Sequence, residues 1–302
     1  MKTIRLIMLV AAFALGCSDS AKLQSQPKQP AAPPESSNFL TYLCKLRLPD
    51  NLSFCGERVP LEIPEVRERA EREFFLNLQS PGQIILYAKR AGRYFPLFEK
   101  ILKTEGVPDD LKYLALAESA LFMARSPKDA VGLWQFIPAT GKRMGLQIDE
   151  YVDERRNPEK STAAAVEYLR SGYKASGGWT LTAAGYNMGH ENLRENLAFQ
   201  NKDNFYDLYL NEETSRYILR IAIIKEILGN PAKYGLLLDA DDVYTPQKTR
   251  TVEWSDDIPS VSEWATSQGT TYKDVKLLNP WILKRNLPRP KSGQYRILVP
   301  AK

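Results

Sequence analysis

Between about Pro64 and Asn230 the sequence reads almost entirely as helices parted by short punctuators, and that run commits the chain to a helical main domain. Val66 to Leu78 is charged and periodic. Pro96 to Thr104 reads as another segment that stops at Gly106, and Asn157-Pro158 offers a cap and a first-turn proline to the Ala-rich Ser161 to Leu169. A further helix is predicted after Trp179. The last, from about Glu212 to Leu228, carries Tyr217, Ile221, Ile224 and Leu228 on one stripe and ends at Gly229-Asn230-Pro231. After Tyr244 the pattern changes. Thr249 to Trp254 alternates as a strand, Ser260-Val261-Ser262-Glu263 is a capping box, Thr271 with Asp274 opens a second short helix, and Tyr295, Ile297 and Val299 alternate in a closing strand. The fold class is therefore mainly α, followed by a small α+β module of strand, helix, helix and strand. At 302 residues the chain is long enough for two such units.

The first residues bear on location. Lys2 and Arg5 precede the apolar run Leu6 to Leu15, which is short for a spanning helix and suits a signal peptide. Gly16-Cys17 closes it and resembles a bacterial lipobox, with Cys17 as the lipidated residue, although Ala14 and Leu15 stand in the reverse of the usual order. Ser18 to Asn38 is rich in Gln, Pro, Ala, Ser and Lys without apolar period and reads as a tether. In an exported chain Cys44 and Cys55 are a disulfide candidate, two free thiols being the alternative. Lys plus Arg at 41 against Asp plus Glu at 36 gives a formal +5, too balanced to argue for nucleic acid. The single histidine, His190, excludes a His-rich metal site; after Gly189 it is expected to cap a helix or face solvent. No metal and no cofactor are expected.

Three segments place polar groups among Gly and aromatic residues in a way that a plain helical core does not need. In Pro108 to Phe122, read as one helix, Glu118 falls on the apolar stripe of Leu111, Leu114, Ala115 and Phe122. A carboxyl there loses water, which lifts its pKa from about 4.3 toward about 6, a range useful to a general acid. Taken alone, Glu118 reads first as a paired structural residue at a helix end. Gly132-Leu133-Trp134-Gln135-Phe136 sets an amide between two aromatics, and Ala184-Gly185-Tyr186-Asn187-Met188-Gly189 sets a phenol beside an amide. Trp134 could be a sugar platform or core. Asp153, Arg155 and Arg156 read as a structural ion-pair cluster, and Asp129 as a solvated turn residue.

Taken in order, Glu118-Ser119, Gly132-Leu133-Trp134-Gln135 and Gly185-Tyr186-Asn187 resemble the soluble lytic transglycosylase domain of glycoside hydrolase family 23. Arg93-Tyr94-Phe95-Pro96, Asp153 to Asn157 and Glu213-Thr214-Ser215-Arg216-Tyr217 look like the membrane-bound lytic murein transglycosylase D group, and the C-terminal segment resembles a LysM module. The resemblance implies a lysozyme-like helical domain that cleaves the β-1,4 bond between N-acetylmuramic acid and N-acetylglucosamine in peptidoglycan, leaving 1,6-anhydro ends. Glu118 would be the catalytic acid and then base, with Ser119, Gln135, Tyr186, Asn187 and Tyr217 as substrate-binding residues around it. Its partners would be peptidoglycan glycan strands, and a membrane through the lipid on Cys17; Ser18 points to the outer membrane by enteric sorting analogy. A periplasmic lipoprotein acting as a monomer is expected. The division that follows is 1–17 signal peptide with lipobox, 18–53 tether and entry segment, 54–244 helical transglycosylase domain and 245–302 LysM-like module. A hydrolytic muramidase of the same fold and a non-catalytic wall-binding lipoprotein are the alternatives. Two positions depart from the family: Gly185 replaces Ala, loosening its helix, and Asp129 replaces Gly. In the module Ser255-Asp256-Asp257-Ile258 stands where a Gly-Asp-Thr-Leu turn is usual, so the fold is expected to persist with an altered binding loop.

Overall fold

The computed structural model describes residues 36–301, so the expected signal peptide, Cys17 and the expected tether up to residue 35 lie outside the described residues. The helical run becomes α1 (Ser36–Lys45), a hairpin of β1 (Ser53–Phe54) and β2 (Glu57–Arg58), then α2 (Pro64–Leu78), α3 (Pro81–Thr104), α4 (Lys112–Ser119) and α5 (Pro138–Arg143). It continues through α6 (Pro158–Ser176), α7 (Trp179–Met188), α8 (His190–Gln200) and α9 (Glu212–Gly229). The last part is β3 (Thr249–Trp254), α10 (Val261–Ser267), α11 (Tyr272–Leu278) and β4 (Tyr295–Pro300). Among the described residues no helix is long and apolar enough to cross a membrane.

Side-chain caps open four helices, those at Asn157, Ser260 and Thr271 where the sequence marks them. Asn157 accepts from the amides of Glu159 and Lys160 at 3.1 Å, Asn211 from Thr214 at 3.0 Å, Ser260 from Glu263 at 3.2 Å and Thr271 from Asp274 at 3.1 Å. Two boundaries differ from expectation. Helix α3 does not begin at Pro96 but runs through it; Pro96 is exposed, so water can satisfy the carbonyl that its missing N–H leaves free. Helix α4 stops at Ser119, because Ala120 and Leu121 both take φ 53°, and Phe122 therefore leaves the apolar stripe and is exposed.

Helix α9 forms the centre of the main core. Besides Tyr217, Ile221 and Ile224, it buries Ile218, Leu219, Ala222, Ile223 and Ile227, so it is apolar on nearly every side, as an interior helix must be. Helices α2, α4 and α7 pack around it. Leu48 and Leu52 already belong to this core.

The C-terminal region has a core of its own, built on Ile258, Val261, Trp264, Val275, Ile297 and Val299, into which Val152 from the helical region inserts. Strands β3 and β4 pair antiparallel in register from Thr249 opposite Pro300 to Trp254 opposite Tyr295. The amide of Asp153 donates to the Trp281 carbonyl at 2.9 Å, and that of Leu283 to the Tyr151 carbonyl at 2.8 Å, which ties the two regions together.

The expected disulfide is absent. Cys44 is an exposed thiol on α1, whereas Cys55 sits at the turn of the β1–β2 hairpin with φ 51°, its amide held by Asp110 at 2.7 Å. Burial, with Asp110 and Glu57 nearby, pushes the Cys55 thiol well above its ordinary pKa.

A two-stranded sheet this small needs other support. Asn279, fully buried, supplies it: its Nδ2 donates to the carbonyls of Val275 at 2.9 Å and Leu298 at 2.7 Å, and its Oδ1 accepts from the Leu298 amide at 2.8 Å. Asn279→Leu strands both backbone groups of Leu298 and should cost about 2–4 kcal/mol, read from urea unfolding of the full chain followed by tryptophan fluorescence.

Candidate active site

Glu118 stands in the last turn of α4, and the left-handed residues after it turn the chain away at once. The carboxyl faces α9. Tyr217, on α9 and 2 % exposed, donates its hydroxyl to Glu118 Oε1 at 2.5 Å. Burial is the main influence on Glu118 and raises its pKa to about 7; the Tyr217 hydroxyl pulls it down, the Glu213 charge pushes it up and Arg220 pulls it down. The folded chain thus keeps a proton that the unfolded chain loses between about pH 4.5 and 7, so this group withdraws stability as pH rises through that window.

The Gly132 to Phe136 loop lies beside this acid. Gly132 has φ +87°, and a Cβ there would stand 2.0 Å from the Arg155 carbonyl, so no larger residue fits. Arg155 is 4 % exposed and pairs with Asp153 through two hydrogen bonds of 2.9 Å, while its Nη1 donates to the carbonyls of Asp129 at 2.7 Å and Phe136 at 3.0 Å. The cluster is structural, as read from the sequence, and it fixes the loop. Trp134 proves to be core: it is fully buried, its Nε1 donates to Thr162 Oγ1 at 2.9 Å, and its ring lies 5.3 Å from that of Phe98. Gln135 adopts φ 50°, and its Nε2 donates to the Gly132 carbonyl at 2.8 Å and the Ala124 carbonyl at 3.3 Å.

Helix α7 brings up the remaining groups. Tyr186 donates its hydroxyl to the Trp134 carbonyl at 2.6 Å, and burial, with the charge of Glu118 next in weight, holds its phenol well above the usual range. Asn187 Oδ1 accepts from the Thr214 hydroxyl at 2.9 Å, which links α7 to the first turn of α9.

Two of the expected substrate contacts differ in kind. Ser119 is 8 % exposed and its hydroxyl lies 3.1 Å from the Ala115 carbonyl and 2.8 Å from that of Leu133, so it joins α4 to the loop rather than offering itself to a sugar. Tyr217 lies beneath the acid, not along an open wall, because α9 is interior. Glu213 and Thr214 entered the sequence reading only within a family-like segment, without a role, and Arg220 not at all; the i, i+4 spacing of Glu213 and Tyr217 on one helix face was the available signal.

His190 also departs from expectation. It neither caps nor faces solvent: its ring packs 4.9 Å from Tyr168, Nε2 is buried, and Tyr168 in turn meets Tyr186 at 5.4 Å. The ring occupies a slot left by two glycines, where a Cβ on Gly172 would lie 2.4 Å and one on Gly185 2.1 Å from imidazole atoms. Gly185 is therefore required by space rather than loosening its helix. The slot accounts for the departure from Ala.

Comparison with known proteins agrees with this architecture. Residues 96–208 match the family described as the transglycosylase SLT domain. The chain carries a transglycosylase SLT domain. Residues 250–302 match the soluble lytic transglycosylase C-terminal LysM-like domain, so the mainly α domain and the small LysM-like module expected from the sequence are both present. The chain is 27% identical over 314 residues to the membrane-bound lytic murein transglycosylase D of Escherichia coli strain K12, covering 98% of this chain and 68% of that protein. It is 32% identical over 118 residues to a putative tributyltin chloride resistance protein of Alteromonas sp., covering 38% of this chain and 57% of the relative. Among solved structures, an inactive variant of the lytic transglycosylase Slt from Pseudomonas aeruginosa aligns with TM-score 0.36 and 18% identity, over 50% of this chain and 26% of that one.

In the SLT domain the Gly185–His190 slot predicts a reciprocal pair. Gly185→Ala alone should lower the melting temperature by several degrees, and in a His190→Ala background the same change should be tolerated, since the alanine then fills vacated space. Thermal unfolding of the two single variants and the double variant checks this.

Proposed function

We propose that the protein is a peptidoglycan lytic transglycosylase, cleaving the β-1,4 bond between N-acetylmuramic acid and N-acetylglucosamine with formation of 1,6-anhydromuramic acid ends. The observation that carries this reading is the Glu118 carboxyl, its pKa raised to about 7, in contact with a buried tyrosine hydroxyl at 2.5 Å. Such a carboxyl is about half protonated at neutral pH and can both give and recover a proton. As the C1–oxygen bond breaks, the Glu118 proton passes to the leaving glycosidic oxygen, and the substrate's own acetamido oxygen takes up the charge at C1. The muramoyl C6 hydroxyl then attacks C1 while its proton returns to the Glu118 carboxylate. No water is consumed, and the acid is regenerated.

The surrounding groups divide the work. Burial favours the protonated acid before the bond breaks; the Tyr217 hydroxyl supports the carboxylate between the two proton transfers. Gln135 and Asn187 are assigned to sugar contacts, Tyr186 to holding its ring and the Trp134 carbonyl beside the acid, and Ser119 to positioning the loop. Residues 54–244 would be the catalytic domain and 245–302 its LysM-like module, with 18–53 as tether and entry segment, whose Leu48 and Leu52 already join the main core. The lipobox-like Gly16-Cys17 and the membrane-bound relative support export to the periplasm and attachment to the outer membrane through a lipid on Cys17, the chain acting as a monomer on glycan strands.

Mass spectrometry of products from purified peptidoglycan tests the reaction. Wild type should release anhydro-muropeptides, and Glu118→Gln should lose at least about 100-fold in rate. Products one water heavier would make it a hydrolytic muramidase, sedimentation with the wall without soluble products a binding protein, and undiminished anhydro products from the Gln variant would remove Glu118 from the role.

A further inference from the structure

A cleft of about 1080 Å³ opens between the helical region and the C-terminal module, lined by neither Glu118 nor Gln135, Tyr186 or Asn187. One wall is formed by Leu121, Phe122 and Met123, which follow Glu118 within five positions. The cleft is thus continuous along the chain with the proposed cleavage site, but it is chemically different from it.

Its charge is unbalanced. The lining carboxylates, Glu154 and Glu159, are already engaged, Glu154 by Lys160 and Glu159 by Arg296 at 3.4 Å. Lys276 donates to the Ile282 carbonyl. Arg90 and Arg93 remain, with no carboxylate partner among the described residues. Arg90 lies 5.5 Å over the ring of Phe122 and donates to the Ala120 carbonyl at 3.0 Å; Arg93, exposed, lies 5.1 Å over the ring of Tyr244. These aromatic faces carry cations and are not free to stack on sugar, so the cleft presents guanidinium groups against apolar walls. Planar guanidinium groups in that setting suit carboxylates.

We propose that this cleft binds the acidic stem peptide of a peptidoglycan strand whose glycan lies across Glu118. The proposal rests on the substrate read above. In that polymer the N-acetylated sugars are neutral once the lactyl group is amide-linked, and the free carboxylates belong to the peptides. A four-residue stem spans about 13 Å extended, enough to pass from the muramoyl unit at the acid along the Leu121–Met123 wall.

Titration of the full chain with synthetic N-acetyl-L-Ala-γ-D-Glu-L-Lys-D-Ala, whose blocked N-terminus matches the amide-linked stem, followed by calorimetry, tests it. The free-acid peptide should bind, and its affinity should fall about tenfold or more when its carboxylates are amidated or when the chain carries Arg93→Glu. Arg93→Lys, which keeps the charge but loses the planar fork, should lose less affinity than Arg93→Glu, with the melting temperature of each variant confirming the fold. Chitotetraose should not displace the peptide. Absence of binding, indifference to amidation or to Arg93→Glu, or displacement by chitotetraose would overturn the proposal. Turnover of peptide-free glycan strands, measured on the same preparation, separates the two readings: turnover without peptide binding defeats the cleft alone, and peptide binding without turnover defeats the lyase alone.

Discussion

The hydroxyl of Tyr217 on the carboxyl of Glu118 is the contact on which the rest of the site depends. It joins the end of a short helix to the central helix of the core. A residue held on α9, which is buried on nearly every side, has little freedom to move, so the acid inherits the rigidity of the interior. The same interior position removes water from the carboxyl and lifts its pKa.

The loop opposite is held by a separate device. Arg155, paired with Asp153, donates to two loop carbonyls, and Gly132 lets the loop lie against the Arg155 backbone. Ser119 and Tyr186 then bond to the carbonyls of neighbouring loop residues, Leu133 and Trp134. Loop and acid are thus fixed to one another from two helices, and the side chains left nearest the acid need not hold the fold together. The His190 slot extends this support outward through Tyr168.

The caps at Asn157, Ser260 and Thr271 were legible because capping is local chemistry, read within four residues. The position of Glu118 on the apolar face was legible for a similar reason. Its immediate partner was brought near it only by the family resemblance, and as a substrate contact, since by pattern alone Tyr217, ninety-nine positions away, is one more residue of a hydrophobic stripe. Left-handed turns at Ala120 and Leu121 carry no glycine to announce them, so the helix was drawn too long and Phe122 was placed inside it. His190 was misread because the slot that receives it is made of two glycines on different helices, which only packing brings together. Cys44 and Cys55 were close in sequence, but closeness along the chain does not bring two sulfurs together.

Titration of the Glu118 carboxyl itself is the most direct test of the central claim, that the core holds this acid's pKa near neutrality. In protein carrying carboxyl-labelled glutamate, the NMR signal absent from Glu118→Gln should titrate at about 7 in the wild type and higher in Tyr217→Phe, which loses the donor to the carboxylate. A midpoint near the ordinary 4.5, or one unmoved by loss of the Tyr217 hydroxyl, would contradict the account.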